Sequence, residues 1–159
     1  MNIETLESVV VRFSGDSGDG MQLTGTQFSN TSAIMGNDIS TFPDYPSEIR
    51  APQGTIAGVS GFQVHFGATE IYTPGDEVDM LVAMNPAALK ANLDSVKKGG
   101  YLLVNSDAFT ANNVTKAGYT NNPLETNELE SYRILQVPVS SQTTAALSHL
   151  DLDSKSKDK

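Results

Sequence analysis

The chain has 159 residues, a length that fits one globular domain able to bury a sizeable core. Hydrophobic residues make up 38% and charged residues 18% of the sequence, which excludes a wholly disordered chain and a long coiled coil. The sequence contains no cysteine, so the chain can supply neither a thiolate ligand for an iron–sulfur cluster or zinc ion nor a disulfide.

The charge balance is acidic. Ten Lys and Arg against 19 Asp and Glu give a net charge of −9, which repels nucleic acid and anionic membrane surfaces. No apolar run approaches the roughly 20 residues that span a bilayer, and the acidic N-terminus lacks the cationic start of a signal peptide. The sequence therefore predicts a cytoplasmic protein without a nucleic-acid or membrane partner.

The first part of the chain has the pattern of a strand, a glycine turn and a helix. Ser8–Ser14 is a β-branched run typical of an interior strand of a parallel sheet, and the turn Gly15–Gly20 follows. Residues then recur at helical spacing across 21–35, and Gly36 predicts the end of that helix. This order is the first half of a βαβ unit.

The next part is predicted as a strand, a loop and a β-hairpin. The strand Asp38–Phe42 ends before the proline-rich stretch Pro43–Gly54, which cannot be a regular helix or a central strand. Residues Thr55–Phe66 alternate like a strand with one buried face. With Gly67-Ala68 as the turn and Thr69–Tyr72 returning, they predict a hairpin.

The last part resumes the alternation of strands and helices. The predicted elements are, in chain order, a strand at Val78–Met84, a helix from Pro86 through Lys97, a strand at Tyr101–Asn105, a surface excursion at Ala111–Glu130, a strand at Tyr132–Val139 and a helix at Thr143–Leu150. Asn85 is predicted as the N-cap of the first helix, with Pro86 at its N1 position. Residues 151–159 have the composition of a linker or tail, so the predicted domain spans 1–150.

The glycine turn is the strongest local signal. The motif is Gly15-x-x-Gly18-x-Gly20, between a strand and a helix. In such a turn, backbone N–H groups and the helix dipole can bind phosphate oxygens. The spacing is neither the dinucleotide fingerprint nor a P-loop. Asp16 and Asp19 also oppose a phosphate, and Asp19 is equally consistent with a helix-capping role.

The loop Tyr45–Gly54 is the second candidate. Its sole cation, Arg50, lies in a proline-fixed turn near Gln53, a suitable grip for a phosphate or carboxylate. The alternative is a local ion pair of Arg50 with Glu48, or a subunit contact. Two histidines, His65 and His149, lack partners at ligand spacing, so no metal site is predicted.

Three motifs in chain order resemble the gamma domain of 2-oxoacid:ferredoxin oxidoreductases. They are Val11–Gly20 (VRFSGDSGDG), Thr41–Gly54 (TFPDYPSEIRAPQG) and Asn85–Leu89 (NPAAL), and the likeness runs from about Ser8 to Leu150. The best match is the form fused at the N-terminus of the 2-oxoglutarate:ferredoxin oxidoreductase alpha subunit. The resemblance implies an α/β fold: three α/β/α layers with a mixed, mainly parallel sheet, here with one β-hairpin insertion.

The resemblance also implies a reaction. Such enzymes oxidatively decarboxylate a 2-oxoacid on thiamine diphosphate, pass electrons through iron–sulfur clusters to ferredoxin, and transfer the acyl group to coenzyme A. For 2-oxoglutarate the product is succinyl-CoA. Thiamine and the clusters are held by partner domains of a hetero-oligomer, and the gamma domain is associated with coenzyme A access and assembly. The isolated chain is therefore expected to be inactive and to contain no catalytic residue.

Two sets of cofactor-binding residues follow from the resemblance. They are Ser14, Gly15, Ser17, Gly18 and Gly20 in the turn, and Arg50, Gln53 and Gly54 in the loop. Many relatives have Gly-Arg-Gly-Gly-Gln-Gly at the turn, whereas this chain has Asp16 in place of the arginine, which exchanges attraction for repulsion at a phosphate. Two other interpretations stay open: a non-catalytic assembly module and an unrelated nucleotide-binding α/β domain.

Overall fold

The computed structural model describes residues 5–45 and 58–149. The strands in these residues are β1 (Ser8–Asp16), β2 (Asp38–Asp44), β3 (Val59–Gly67), β4 (Val78–Ala83), β5 (Val96–Asn105) and β6 (Arg133–Val137). The α-helices are α1 (Met21–Ile34), α2 (Pro86–Asn92), α3 (Ala111–Lys116) and α4 (Val139–Ala146). Within residues 5–45 and 58–149, no helix qualifies as a membrane span.

The strands form one mixed sheet in the order β2-β3-β1-β4-β5-β6. β1, β4, β5 and β6 run parallel to one another. β3 is antiparallel to β1 on one side and to β2 on the other. The predicted α/β fold with a mixed, mainly parallel sheet is confirmed.

Helices pack on both faces of the sheet, which gives the three predicted layers. On the face covered by α1, called here the α1 face, apolar side chains form one core cluster: Val11, Phe13, Met21, Phe62 and Val64. On the opposite face, called the α2 face, a second cluster includes Leu81, Leu89, Leu102, Val104 and Val114. Alternate residues of each central strand serve the two clusters, as the strand period requires.

Helix α1 forms where local signals favour it, although its composition is polar. It follows Gly20, whose φ of +73° suits glycine, and it ends at a turn containing Gly36, whose φ is +89°. The end predicted at Gly36 is confirmed. The helix also approaches the sheet closely, because a Cβ added at Gly25 would lie 2.2 Å from the Phe62 ring.

The antiparallel hairpin differs from the predicted one. Residues Thr69–Tyr72 form no strand, so the prediction that they pair with the preceding strand is wrong. β3 is instead paired on both sides, with β1 and with β2, and has no free edge for a returning strand. β2 and β3 are therefore the hairpin pair of this sheet, and the predicted start at Thr55 lies outside the described residues.

Strands β1 and β2 each extend further than predicted. β1 continues past Ser14 because Gly15 and Asp16 still pair with β3. β2 continues through Pro43 to Asp44, although proline was predicted to end it. Proline is tolerated there because β2 is an edge strand, where a missing N–H need not remove a ladder hydrogen bond.

The helix predicted through Lys97 is too long. α2 ends at Asn92, one 3₁₀ turn covers Leu93–Ser95, and β5 begins at Val96 rather than at Tyr101. Val96 is 5% exposed and pairs with Val78 of β4, so it is buried as a strand residue of the sheet and not as a helix residue.

The region predicted as a surface excursion at Ala111–Glu130 is partly core. It contains α3 and two 3₁₀ turns, and it buries Val114 and Leu129 in the cluster on the α2 face. These two residues have no long periodic pattern around them, so the sequence pattern did not indicate their burial.

The last two elements are shifted from their predicted bounds. β6 is shorter than the predicted Tyr132–Val139, and α4 begins right after Pro138 rather than at Thr143 and ends at Ala146. Proline at a helix start removes no helical hydrogen bond, so the helix can begin there. Residues 151–159 lie outside the described part, and the predicted domain end at 150 stays a prediction.

Candidate functional site

A cleft of about 490 Å³ lies at the carboxyl ends of the parallel strands. Its lining residues are Asp16, Gly18, Asp19, Gly20, Met84, Asn85, Asn105, Ala108, Asn113, Val139, Ser140, Thr143 and Thr144. They come from the turn after β1, the end of β4, the end of β5 with the segment that follows, and α4. This cleft is the candidate functional site.

The topology of the sheet explains the position of the cleft. After β1 the chain passes into α1 on one face, and after the neighbouring parallel strand β4 it passes into α2 on the other face. The two connections therefore diverge at the carboxyl ends of β1 and β4. Such a point is where open α/β sheets bind ligands in general.

The turn after β1 is held by hydrogen bonds around Asp16. Its carbonyl oxygen accepts from the N–H of Gly18 at 2.7 Å and of Asp19 at 3.0 Å. Its own N–H donates to Oδ2 of Asp19 at 2.8 Å. The carboxylate of Asp19 thus closes the turn and makes no side-chain cap to α1, whose N-cap is Gly20, so the predicted capping role is wrong.

The electrostatics of the cleft oppose a bound phosphate. Burial raises the pKa of Asp19 above its ordinary 3.8; the hydrogen bond from Asp16 N–H opposes that rise, and the charge of Asp16 adds to it. The lining in the described part of the chain contains Asp16 and Asp19 but no Lys, Arg or His. The cleft offers amides, hydroxyls and two carboxylates, which suit neutral or cationic groups better than anions.

Asn85 connects the turn after β1 with the start of α2 at the base of the cleft. Its Oδ1 accepts from the N–H of Ala88 at 2.8 Å, which confirms the predicted N-cap of α2. Its Nδ2 donates to Oδ1 of Asp16 at 2.9 Å. The side chain therefore fixes the start of α2 and orients one of the two cleft carboxylates.

Asn105 holds the opposite wall of the cleft. It ends β5, its Oδ1 accepts from Val139 N at 3.1 Å, and its Nδ2 donates to Ser140 Oγ at 3.3 Å. These bonds place the first turn of α4 beside the cleft. Asn105 and Ser140 were not predicted as site residues; the sequence signal for them was a polar residue, Asn105, at the carboxyl end of a parallel strand.

The residues predicted in the glycine turn have different environments. Gly18 and Gly20 line the cleft, and Ser17, which directly precedes Gly18, is exposed. Gly15 is buried at the end of β1, where an added Cβ would lie 2.7 Å from Asp19 Oδ2. Ser14 is fully buried on the α2 face. Cofactor binding at these positions stays a prediction.

The predicted loop residues Arg50, Gln53 and Gly54 lie outside the described residues. Among those that are described, no group of three or more His, Cys, Asp or Glu side chains could hold a metal ion. His65 contacts Thr73 O at 2.7 Å and Ser8 Oγ at 3.1 Å, both within the chain.

A second polar region, which was not predicted, lies on the α2 face. Arg12 donates from Nε to Asn92 Oδ1 at 2.6 Å, from one terminal nitrogen to Gln63 Oε1 at 3.2 Å, and from the other to the carboxylate of Asp44. Asn92 also donates to Ser14 Oγ at 2.9 Å. We call Arg12, Asp44, Gln63, Asn92 and Ser14 the Arg12 network.

The Arg12 network is structural in its geometry. The Arg12 side chain is 14% exposed, and Gln63 and Asn92 are buried. Gln63 Nε2 donates to the carbonyl oxygens of Pro74 and Gly75. The network ties β1, β2, β3 and α2 together and leaves little hydrogen-bonding capacity for a ligand.

Comparison with known proteins identifies relatives of this fold. The family profile described as pyruvate ferredoxin/flavodoxin oxidoreductase matches residues 10–150. The 2-oxoglutarate oxidoreductase subunit KorA of Mycobacterium tuberculosis is 52% identical over 152 residues, which cover 96% of this chain and 23% of the relative. The chain thus spans about a quarter of the length of that curated relative.

Solved structures share the fold at lower sequence identity. The 2-oxoglutarate:ferredoxin oxidoreductase of Magnetococcus marinus, solved with 2-oxoglutarate, coenzyme A and succinyl-CoA bound, is 23% identical with a TM-score of 0.68, over 91% of this chain and 22% of that one. A keto/oxoacid ferredoxin oxidoreductase gamma subunit of Geobacter sulfurreducens is 18% identical with a TM-score of 0.61, over 88% and 66%. The pyruvate oxidoreductase subunit PORC of Thermotoga maritima is 17% identical with a TM-score of 0.59, over 90% and 68%.

Proposed function

Because the chain belongs to the pyruvate ferredoxin/flavodoxin oxidoreductase family, we propose that it is the gamma-type domain of a 2-oxoglutarate:ferredoxin oxidoreductase. The observation that carries this proposal is the 52% identity to a 2-oxoglutarate oxidoreductase subunit over nearly the whole chain. The enzyme would oxidatively decarboxylate 2-oxoglutarate, form succinyl-CoA and pass the electrons to ferredoxin.

The domain would act by placement rather than by acid–base or redox chemistry. The chain has no cysteine to ligate a cluster, so iron–sulfur clusters do not fit its own side chains. We assign the clusters and thiamine diphosphate to partner domains of a hetero-oligomer. The domain would position coenzyme A or complete the active site formed with those partners, which lowers the entropic cost of the acyl transfer.

The charges of the chain divide the proposed coenzyme A contacts. Asp16 and Asp19 make the cleft unsuitable for the phosphates of coenzyme A. The cation available at the predicted sites is Arg50, and it would hold a phosphate together with cations of the partner domains. The glycine turn would then contribute shape to the site and no phosphate contact.

An assembly module is the second candidate. The observation that favours it is the cleft itself, whose described lining holds two carboxylates and no cation. In that case the domain would contact sister domains and leave coenzyme A to them.

Replacement of Arg50 separates the two functions in the complete enzyme. If the domain positions coenzyme A, Arg50→Ala raises the KM for coenzyme A about tenfold or more, since a charged hydrogen bond contributes roughly 1.5–3 kcal/mol. Assembly, followed by size-exclusion chromatography, then stays intact. Lys116→Ala, which removes an exposed cation on α3, is the matched control. Dissociation of the complex by Arg50→Ala alone, with an unchanged KM in the remaining complex, would favour the assembly module.

A further inference from the structure

One half of the α1 face has no helix over it among the described residues. Over β1 and β3, α1 covers the sheet, and the Phe28 ring packs on Phe13 and Phe66 with ring centroids 5.3 Å apart in both pairs. Over β5 and β6, Leu135 is 45% exposed and Tyr101 is 40% exposed on the same face. These two side chains are therefore only partly covered.

An apolar row crosses this half; its inner members Val82 and Leu103 are partly buried, Val82 against the cluster on the α1 face, and Leu135 at its outer end is exposed. Val82 of β4 pairs with Leu103 of β5, and Leu103 pairs with Leu135 of β6. Three adjacent strands span about 10 Å, which matches the diameter of an α-helix with its side chains. The row is therefore the width that one helix covers.

The opposite face of the same strands shows what a covered surface looks like here. Leu81 and Leu102, one residue away from the row, are fully buried beneath α2 and α3. Sheets with parallel strands are generally covered on both faces, because their strands are apolar on both sides. The α1 face of β5 and β6 departs from this rule, because Tyr101 and Leu135 are exposed there.

We propose that an amphipathic helix from polypeptide of the larger enzyme, outside these 159 residues, packs on the row Val82–Leu103–Leu135. The relatives carry the additional chain that this requires. The two solved subunits are matched over only 66% and 68% of their lengths, and the curated relative over 23%. From the proposed function this inference takes only that the domain works within a larger enzyme.

Charge disfavours a second copy of this chain as the occupant. Arg133 lies on the same strand and the same face as Leu135, two residues away, and its guanidinium is 5.2 Å from the Tyr101 ring centroid. Two-fold pairing through this face would bring together two chains that each carry a net charge of −9.

Thiol labelling tests the proposal, because the chain has no cysteine of its own. Leu135→Cys is introduced into the complete enzyme and into the 159-residue chain, and iodoacetamide modification is followed by mass spectrometry of the peptide that contains position 135. Lys116→Cys, exposed on the opposite side of the domain, is the control. We expect the thiol introduced at position 135 to react at least tenfold more slowly in the complete enzyme, while the thiol introduced at position 116 reacts at similar rates in both.

A photocrosslinker attached to the Leu135→Cys variant then identifies the occupant. Crosslinks to a helical segment of the same enzyme with apolar residues at helical spacing support the proposal. Equal labelling of position 135 in both proteins overturns it, as do crosslinks to a second copy of this domain. Failure of the unmodified enzyme to oxidise 2-oxoglutarate would overturn the proposed function instead, and the labelling ratio would still decide this inference.

Discussion

The cleft and the Arg12 network are both polar, and strand β1 contributes to both, but only the cleft has capacity for a ligand. In the network, Arg12 donates to three different side chains, and the buried amides of Gln63 and Asn92 are paired within the chain. In the cleft, Asp16 is exposed at the end of the same strand, and Asp19 in the turn that follows is partly exposed. Polar composition alone therefore does not mark a site; a ligand also needs hydrogen-bonding groups that are both unpaired and accessible.

Removal of Arg12 should give the largest effect on stability. Arg12→Met leaves the amide of Asn92 and the carboxylate of Asp44 without their donor, and we expect a loss of roughly 3 kcal/mol in the free energy of unfolding. Urea denaturation measures it. Lys116→Met should change stability by less than about 0.5 kcal/mol. A loss equally small for Arg12→Met would contradict a structural role for the network.

Asn85 has both a structural role and a contact in the cleft, because it caps α2 and also contacts a cleft carboxylate. Asn85→Ala removes the cap bond to Ala88 N–H and the bond to Asp16, so we expect a loss of about 1 kcal/mol. Asn85→Asp restores the cap acceptor but brings a second charge close to Asp16. If capping dominates, chemical denaturation should show Asn85→Asp nearer to the original protein than Asn85→Ala is; the reverse order would assign the effect to Asp16.

Tyr119 sharpens the comparison as a polar group with no hydrogen-bond partner in the described part of the chain. Its hydroxyl is buried, and Lys90 Nζ lies 4.9 Å from its ring centroid. Tyr119→Phe keeps the ring and removes the unpaired hydroxyl, so we expect unchanged or higher stability, by up to about 1 kcal/mol. A clear loss in denaturant unfolding would show that the hydroxyl has a partner after all.

The same variant tests a prediction about stability at alkaline pH. Burial, with Glu128 nearby, raises the pKa of Tyr119 to about 12, above its ordinary value of 10.0. The unfolded chain then ionises first, so this contribution to stability is complete below pH 10 and is lost as pH rises toward 12. The free energy of unfolding, measured at several pH values across this range, should therefore fall more steeply for the original protein than for Tyr119→Phe.

Replacement of Asp19 should have the smallest effect on stability, with a sign opposite to that of Arg12→Met. Its pKa is raised in the folded protein, so its charged form opposes folding increasingly as pH rises above about 3.8. Asp19→Asn removes that charge and keeps an acceptor for Asp16 N–H. We expect the variant to gain stability relative to the original protein between about pH 4 and pH 7, by less than about 1 kcal/mol. A relative loss with rising pH would contradict the sign of the shift.

Local signals were enough to predict some elements and not others. Gly36 and Asn85 mark the end of α1 and the start of α2 correctly, because turn and cap chemistry depends on a few adjacent residues. The pairing of β3 with β1 and β2 depends on residues far apart in the chain, and the hairpin prediction failed for that reason. Val96 was misassigned likewise, because its partner Val78 is a sheet neighbour.

The site divides in the same way. The glycine turn was predicted, and Gly18 and Gly20 do line the cleft. The order of strand, turn and helix can be recognised in the sequence, and it places the turn at the carboxyl end of a strand. The opposite wall was not predicted, because Asn105 reaches Ser140 only after β5 and β6 are paired. Ser14 belongs to the Arg12 network, since the strand period directs its side chain away from the cleft.

The central claim is that the domain serves a 2-oxoglutarate:ferredoxin oxidoreductase without turnover of its own, and ferredoxin reduction tests it most directly. The complete enzyme and the 159-residue chain are each supplied with 2-oxoglutarate, coenzyme A and oxidised ferredoxin, with pyruvate as the alternative substrate. We predict coenzyme A-dependent reduction by the complete enzyme with 2-oxoglutarate in preference to pyruvate, and none by the chain alone. Reduction by the isolated chain, or by the complete enzyme with pyruvate only, would contradict it.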